Sequence, residues 1–275
     1  MDRVGVIDGV ATEIAEFIER RRARLLDTVH STVAINPFLT PLAAALNGFE
    51  SVTETALFFA TGHLLDGHQT GFGKLVDERI LPNVFGTTKL SGPYRQSTPP
   101  YSAPMFGVID HLVEKPGGQD LLPLKAGRWS IQLGQALNMN DGFARLIAAR
   151  EAGEVDFDRI VIGVLYGTEA TLTDKFWIAR GVIRHGRAHD IVDVSEHVDV
   201  RAGKEFWSWL NGGEPETQEW VLEGVFEGMR RSQDELGSAA EAVAAYQESF
   251  ELQLARHKDD AGDVDWFALL RDING

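Results

Sequence analysis

Asp110 and Lys125 flank a turn in a stretch that reads FGVIDHLVEK from Phe106, then PGGQD, then LLPLKAGRWSIQLGQA to Ala136. The runs rich in Val, Ile and Leu predict two β-strands, and Pro116, Gly117 and Gly118 are strong turn formers between them. Such a hairpin brings an acid and an amine together. A carboxylate that holds a divalent ion against a phosphate, with an ammonium nearby to orient water or offset charge on phosphorus, is the equipment of metal-assisted phosphodiester hydrolysis. His111 follows Asp110 directly, and successive strand residues alternate sides, so it points to the opposite face.

The wording around this pair, Asp110-His111, the turn, then Leu124-Lys125-Ala126-Gly127-Arg128-Trp129-Ser130-Ile131-Gln132, resembles type II restriction endonucleases of the PD-(D/E)xK nuclease superfamily. The similar pieces run from Gly73 to Leu222. They include RIVIGVLYGTEATLTDKFWIARG from Arg159 and RAGKEFWSWLNGGEPETQEWVL from Arg201. The resemblance implies an α/β fold, a restriction-endonuclease-like mixed central sheet flanked by helices, with helical N- and C-terminal additions. It implies Mg2+-dependent cutting of double-stranded DNA at a specific site, within restriction-modification defence. It also implies a homodimer, because two related active sites are needed to cut both strands of a palindrome, and a cognate DNA methyltransferase as functional partner. In that frame Asp110 and the backbone carbonyl of Leu124 hold the metal, while Lys125 positions the attacking water.

One position departs from the superfamily pattern. Two residues before the lysine, where that pattern has Asp or Glu, stands Pro123, which brings neither a carboxylate nor a backbone N–H. Glu78, in the helix-like segment GKLVDERILPNVFG, is one source of a displaced acid. Asp141 is another, although a helix face through Gln132, Gln135 and Met139 leaves it about 200° away from Met139. Gln132 is a candidate neutral ligand or water-positioning group. For DNA the candidates are Arg128 at the start of the following helix, whose amides also favour anions, Lys89 and Arg95 in a proline-rich connection, and Arg184 and Arg187. The alternative is a catalytically silent DNA-binding or regulatory relative, in which Pro123 records loss of the metal site. A third reading is an acidic interaction protein with no DNA role.

Composition sets the outer bounds. The 275 residues carry a formal charge of −15, which opposes a generic nucleic-acid coat because phosphate contacts rely on Lys and Arg. The charge is uneven, however: Lys74 to Arg150 holds nine basic and six acidic residues, a local +3. A second basic cluster comprises Lys175, Arg180, Arg184, His185, Arg187 and His189. An acidic body with a basic cleft still admits DNA and limits non-specific retention. Cysteine is absent, which excludes disulfides, thiolate zinc sites and cysteine nucleophiles. The start lacks a basic region followed by an apolar one, and no run reaches the roughly 18 apolar residues of a membrane span, so a cytoplasmic protein without membrane contact is expected. His63, Asp66 and His68 do not have the i, i+4 spacing of a helical ligand pair, and neither a serine elbow nor a glycine-rich phosphate loop occurs.

The elements that must position the site read as a single decorated domain: a helical part over 1–72, a nuclease core over 73–222 and a helical part over 223–275. Val10 to Ile35 has helical spacing around Glu19 to Arg24, and Phe38 to Leu65 continues helical. Thr87 to Pro104, with four prolines, predicts a long irregular connection. Arg159 to Gly167 suits a buried strand, and Leu172 to Ile183 reads as a strand or a helix. Thr217 to Met229 and Ser238 to His257 read as helices, with a small apolar knot at Trp266 and Phe267 beyond them.

Overall fold

Gly118–Leu122 (β3) and Leu124–Lys125 (β4) form one interrupted strand, and the sheet is organised around it. Leu121 lies opposite Ile160, Leu124 opposite Gly163 and Lys125 opposite Val164, so both pieces keep one parallel register along Ile160–Val164 (β5). On the other side β3 pairs antiparallel with His111–Lys115 (β2), which pairs antiparallel with Thr88–Lys89 (β1). Val198–Ala202 (β6) lies parallel on the outer side of β5. The result is a mixed six-stranded sheet flanked by helices. The computed structural model describes residues 1–28, 35–127, 129–185, 187–233 and 239–274.

The chain divides into two units. One comprises Met1–Glu13 and Gly73–Gly228 and contains the sheet; the other comprises Ile14–Phe72 and Met229–Gly275. In the first, side-chain alternation sorts the sheet into two faces. Leu112, Leu121, Ile160, Ile162, Val164 and Val198 face Leu133–Glu151 (α6), whose Ala136, Met139, Phe143 and Leu146 repeat at helical spacing and complete the main core. On the opposite face lie Leu122 and Gly163, against Phe206 of Lys204–Leu210 (α8). A Cβ at Gly163 would stand 2.4 Å from the Phe206 ring, so the absence of a side chain is what lets α8 approach.

The helix Val52–Leu75 (α3) widens at its end into a π turn, Val76–Ile80, in which the Leu81 N–H reaches the Val76 carbonyl. Leu81–Phe85 (α4) follows with Pro82 in its first turn and ends at Gly86, whose φ of 69° lies in the left-handed range that glycine reaches without strain. Pro82 has no N–H to give to the Glu78 carbonyl, and the widened turn relieves that missing bond.

The second unit is helical: the later part of Arg3–Thr28 (α1), then Leu39–Asn47 (α2), α3, Ala239–Ala255 (α10) and Trp266–Asn274 (α11). Its core joins Ile35, Ala56, Phe250, Leu254 and Leu269, with the Phe59 and Phe250 rings stacked.

Three local expectations change, and one left open is decided. The proline-rich connection Thr87–Pro104 is structured: it holds β1 and Gly92–Ser97 (α5), with Ser91 accepting the Tyr94 N–H as N-cap at 3.3 Å and Pro93 in the first turn. The segment from Leu172 to Ile183 resolves to a helix, Asp174–Ala179 (α7). At the apolar C-terminal knot, Trp266 packs on the core while Phe267 is 74% exposed. The strand β6 was not anticipated, although Val198, Val200 and Ala202 alternate with Asp199 and Arg201 as in a half-buried strand. The expected helices over 217–229 and 238–257 are present as Thr217–Arg231 (α9) and α10.

Candidate active site

Asp110 precedes β2 and is locked into the sheet by its backbone. Its N–H donates to the Leu122 carbonyl at 3.0 Å, and its carbonyl accepts from the Leu90 N–H at 2.8 Å. Here β2 leaves the neighbouring strand; Pro123, whose carbonyl points to β5, lacks an N–H on that side, and the next donor on the β2 side is the Leu124 N–H. The Asp110 side chain takes up that donor: Oδ2 accepts the Leu124 N–H at 2.7 Å. This contact ties the acid directly to the residue before Lys125.

Alternation puts Asp110 on the same face as Leu112, and Lys125 on the same face as its partner Val164. Both therefore emerge on the side covered by α6, although no ion pair joins them. Among the described residues the Lys125 ammonium has neither a hydrogen-bond nor an ion-pair partner, and the residue is half-buried. Pro123 is buried between them in sequence, with its carbonyl accepting the Gly163 N–H at 2.9 Å. The N–H and C=O of one strand residue point to the same side, so the Leu124 carbonyl faces the Asp110 edge as its N–H does.

The other face holds a different cluster. His111 is fully buried, with Nε2 2.8 Å from Oδ1 of Asp77 and Nδ1 2.9 Å from Oγ1 of Thr87. The second carboxylate oxygen of Asp77 accepts from the Lys89 ammonium. Partial burial pushes the Asp77 pKa up, but the hydrogen bonds from His111 and Lys89 outweigh it and hold the carboxyl below its ordinary value. Together these contacts fasten the π turn to β1 and β2.

The remaining sequence candidates are dispersed. Glu78 is exposed on the π turn, beside the residue that faces His111, and makes no contact with Asp110 or Lys125. Gln132 is exposed at the N-terminus of α6, where its N–H donates to Oε1 of Gln135 at 3.0 Å. Asp141 pairs with Arg145 at 3.0 Å on the solvent side of α6. Lys89 is engaged by Asp77 on the face opposite Asp110, and Arg95 donates to the Ile109 carbonyl, bracing the residue before Asp110. Arg184 stacks on the Trp177 ring, 3.2 Å from its centroid, and pairs with Glu169 at 3.5 Å. Arg187 is exposed, and Arg128 lies outside the described residues.

Among the described residues no three His, Cys, Asp or Glu side chains converge on one point. The Asp110 carboxylate and the Leu124 carbonyl are a sparse oxygen donor set. They suit Mg2+, which keeps several waters and takes further oxygens from a bound phosphate, better than a cation that needs a full protein cage.

Sequence reasoning missed Asp77, although it chose the neighbouring Glu78. The readable signal was position: a helical acid placed to face a strand histidine. Among the described residues no helix is long and apolar enough to cross a membrane. Comparison with protein-family models and with curated protein sequences finds no match.

Proposed function

We propose that this chain is a site-specific endonuclease that hydrolyses phosphodiester bonds of double-stranded DNA with Mg2+, on a restriction-endonuclease-like fold. The observation that carries the reading is the 2.7 Å bond between Asp110 and the Leu124 N–H, which ties the acid to the strand end bearing Lys125 on one face of the sheet. The resemblance of the Asp110 to Gln132 block supports it.

In this mechanism Asp110 offers its carboxylate, and Leu124 its carbonyl, as oxygen ligands. When bound, the ion neutralises charge on the scissile phosphate and lowers the pKa of water. Lys125 has no partner to displace, so its ammonium is available to orient the attacking water and offset negative charge developing on phosphorus. The chain functions as a homodimer paired with a cognate methyltransferase.

The buried Pro123 favours a second reading, a catalytically silent DNA-binding relative, because it removes the acid that the superfamily pattern puts there. Digestion of long unmethylated phage DNA with Mg2+ or EDTA separates the two. Discrete Mg2+-dependent bands, lost in Asp110→Ala and Lys125→Ala, establish the nuclease. DNA that binds but stays intact under all conditions establishes the silent relative.

A further inference from the structure

The strand ends beyond Lys125 carry a group that the proposed mechanism leaves unused. Lys125 lies opposite Val164, and the same parallel register carried two residues on sets Gly127 opposite Tyr166. Tyr166 therefore emerges on the face of Lys125 and Asp110. Its ring leans across the turn: a Cβ built on Gly127 would stand 2.4 Å from the Tyr166 Oη and 2.5 Å from Cζ. The backbone after Lys125 passes directly beneath the phenol, and only glycine leaves room for that.

Both sides of this contact are fixed. Ser130 Oγ donates to the Gly127 carbonyl at 2.6 Å and accepts its N–H at 3.2 Å. Behind Tyr166, the Leu165 N–H donates to the Lys125 carbonyl at 3.2 Å, and the Leu165 carbonyl accepts from the Trp207 indole at 2.9 Å. Yet Tyr166 is 56% exposed, and among the described residues its hydroxyl has no hydrogen-bond partner. An exposed phenol with an unused O–H thus lies over a held turn at the carboxyl ends of parallel strands, where open α/β sheets bind ligands.

We infer that Tyr166 is a positioning residue for DNA. Its ring fixes the turn beyond Lys125, and its hydroxyl donates to a backbone phosphate next to the one that Asp110 and Lys125 engage. The inference rests on the nuclease reading. A tyrosine bond to phosphate sets register without reading sequence, so a labelled duplex of random sequence is a sufficient probe.

The test is fluorescence anisotropy of that duplex in EDTA, over a range of salt, with wild type, Tyr166→Phe, Tyr166→Ala, Gly127→Ala and Lys125→Ala, each checked for folding by circular dichroism. Tyr166→Phe keeps the ring and should weaken binding about tenfold to a hundredfold, the worth of one hydrogen bond to a charged group. Its salt slope should match wild type, because a neutral donor releases no counterion, whereas Lys125→Ala should lower the slope. Gly127→Ala displaces the ring and should match Tyr166→Ala, with the double variant no weaker than either. Wild-type affinity in Tyr166→Phe, alongside weakened Lys125→Ala, overturns the role of Tyr166 and leaves the nuclease reading standing. Absence of duplex binding by wild type at low salt overturns both.

Discussion

At the scale of single residues, Asp110 does two jobs that substitution can separate. Asp110→Asn keeps an oxygen acceptor for the Leu124 amide but withdraws the charge a divalent ion needs. It should retain wild-type stability in urea titration while losing Mg2+-dependent cleavage. Asp110→Leu strands the Leu124 N–H as well, and should cost about 1–3 kcal/mol in the same titration. Pro123→Glu restores a carboxylate on the face that Asp110 and Lys125 share. It should shift cleavage to lower Mg2+ concentration in an active nuclease, or create cleavage in a silent relative; an unchanged Mg2+ titration would show that another group already supplies the acid.

At the scale of elements, the π turn and the hairpin are joined by Asp77, His111 and Lys89, and this junction has a definite pH signature. The Asp77 carboxyl is held below its ordinary 3.8. A depressed folded-state value means stability that is fully present above 3.8 and is lost as the pH falls through the lowered value. Acid titration of wild type should show this loss below about pH 4, and Asp77→Asn should flatten that part of the curve while lowering stability at neutral pH by about 1–3 kcal/mol. The packing of α8 is probed by Gly163→Ala, which drives a methyl group into Phe206 and should cost about 1–3 kcal/mol by thermal unfolding. Part of this layer was legible: Pro-Gly-Gly between Val- and Leu-rich runs can do little but turn, whereas the helix face read through Gln132, Gln135 and Met139 is not the buried side of α6, which runs through Ala136, Met139 and Phe143. What escaped was non-local. Asp77 and His111 are 34 residues apart, and the pairing of Ile160 with Val198 is likewise long-range, although the alternation of Val198, Val200 and Ala202 with Asp199 and Arg201 was itself a readable strand signal. The Asp110 side chain filling a ladder rung could not be read either, since it depends on where β2 diverges.

At the scale of the whole molecule, a net charge of −15 must coexist with DNA contact. Few phosphates are then neutralised, and salt screens the repulsion from the acidic remainder, so affinity should fall only gently between low and physiological salt. Binding that ignores salt would argue against phosphate contact. Sedimentation equilibrium should return twice the 30.3 kDa chain mass for the proposed homodimer; a single chain mass across micromolar concentrations would leave each DNA strand to be cut in a separate encounter.

The bond between Leu124 and Asp110 also supplies a spectroscopic handle. A short amide-to-carboxylate hydrogen bond shifts its proton resonance downfield and slows exchange with solvent, so the Leu124 amide signal in a nitrogen-15 spectrum should report the charge on Asp110. Drawing electron density from that carboxylate, whether by a proton or by Mg2+, would move the signal upfield. One backbone resonance would then follow occupancy of the site in solution, even when no DNA is being cut.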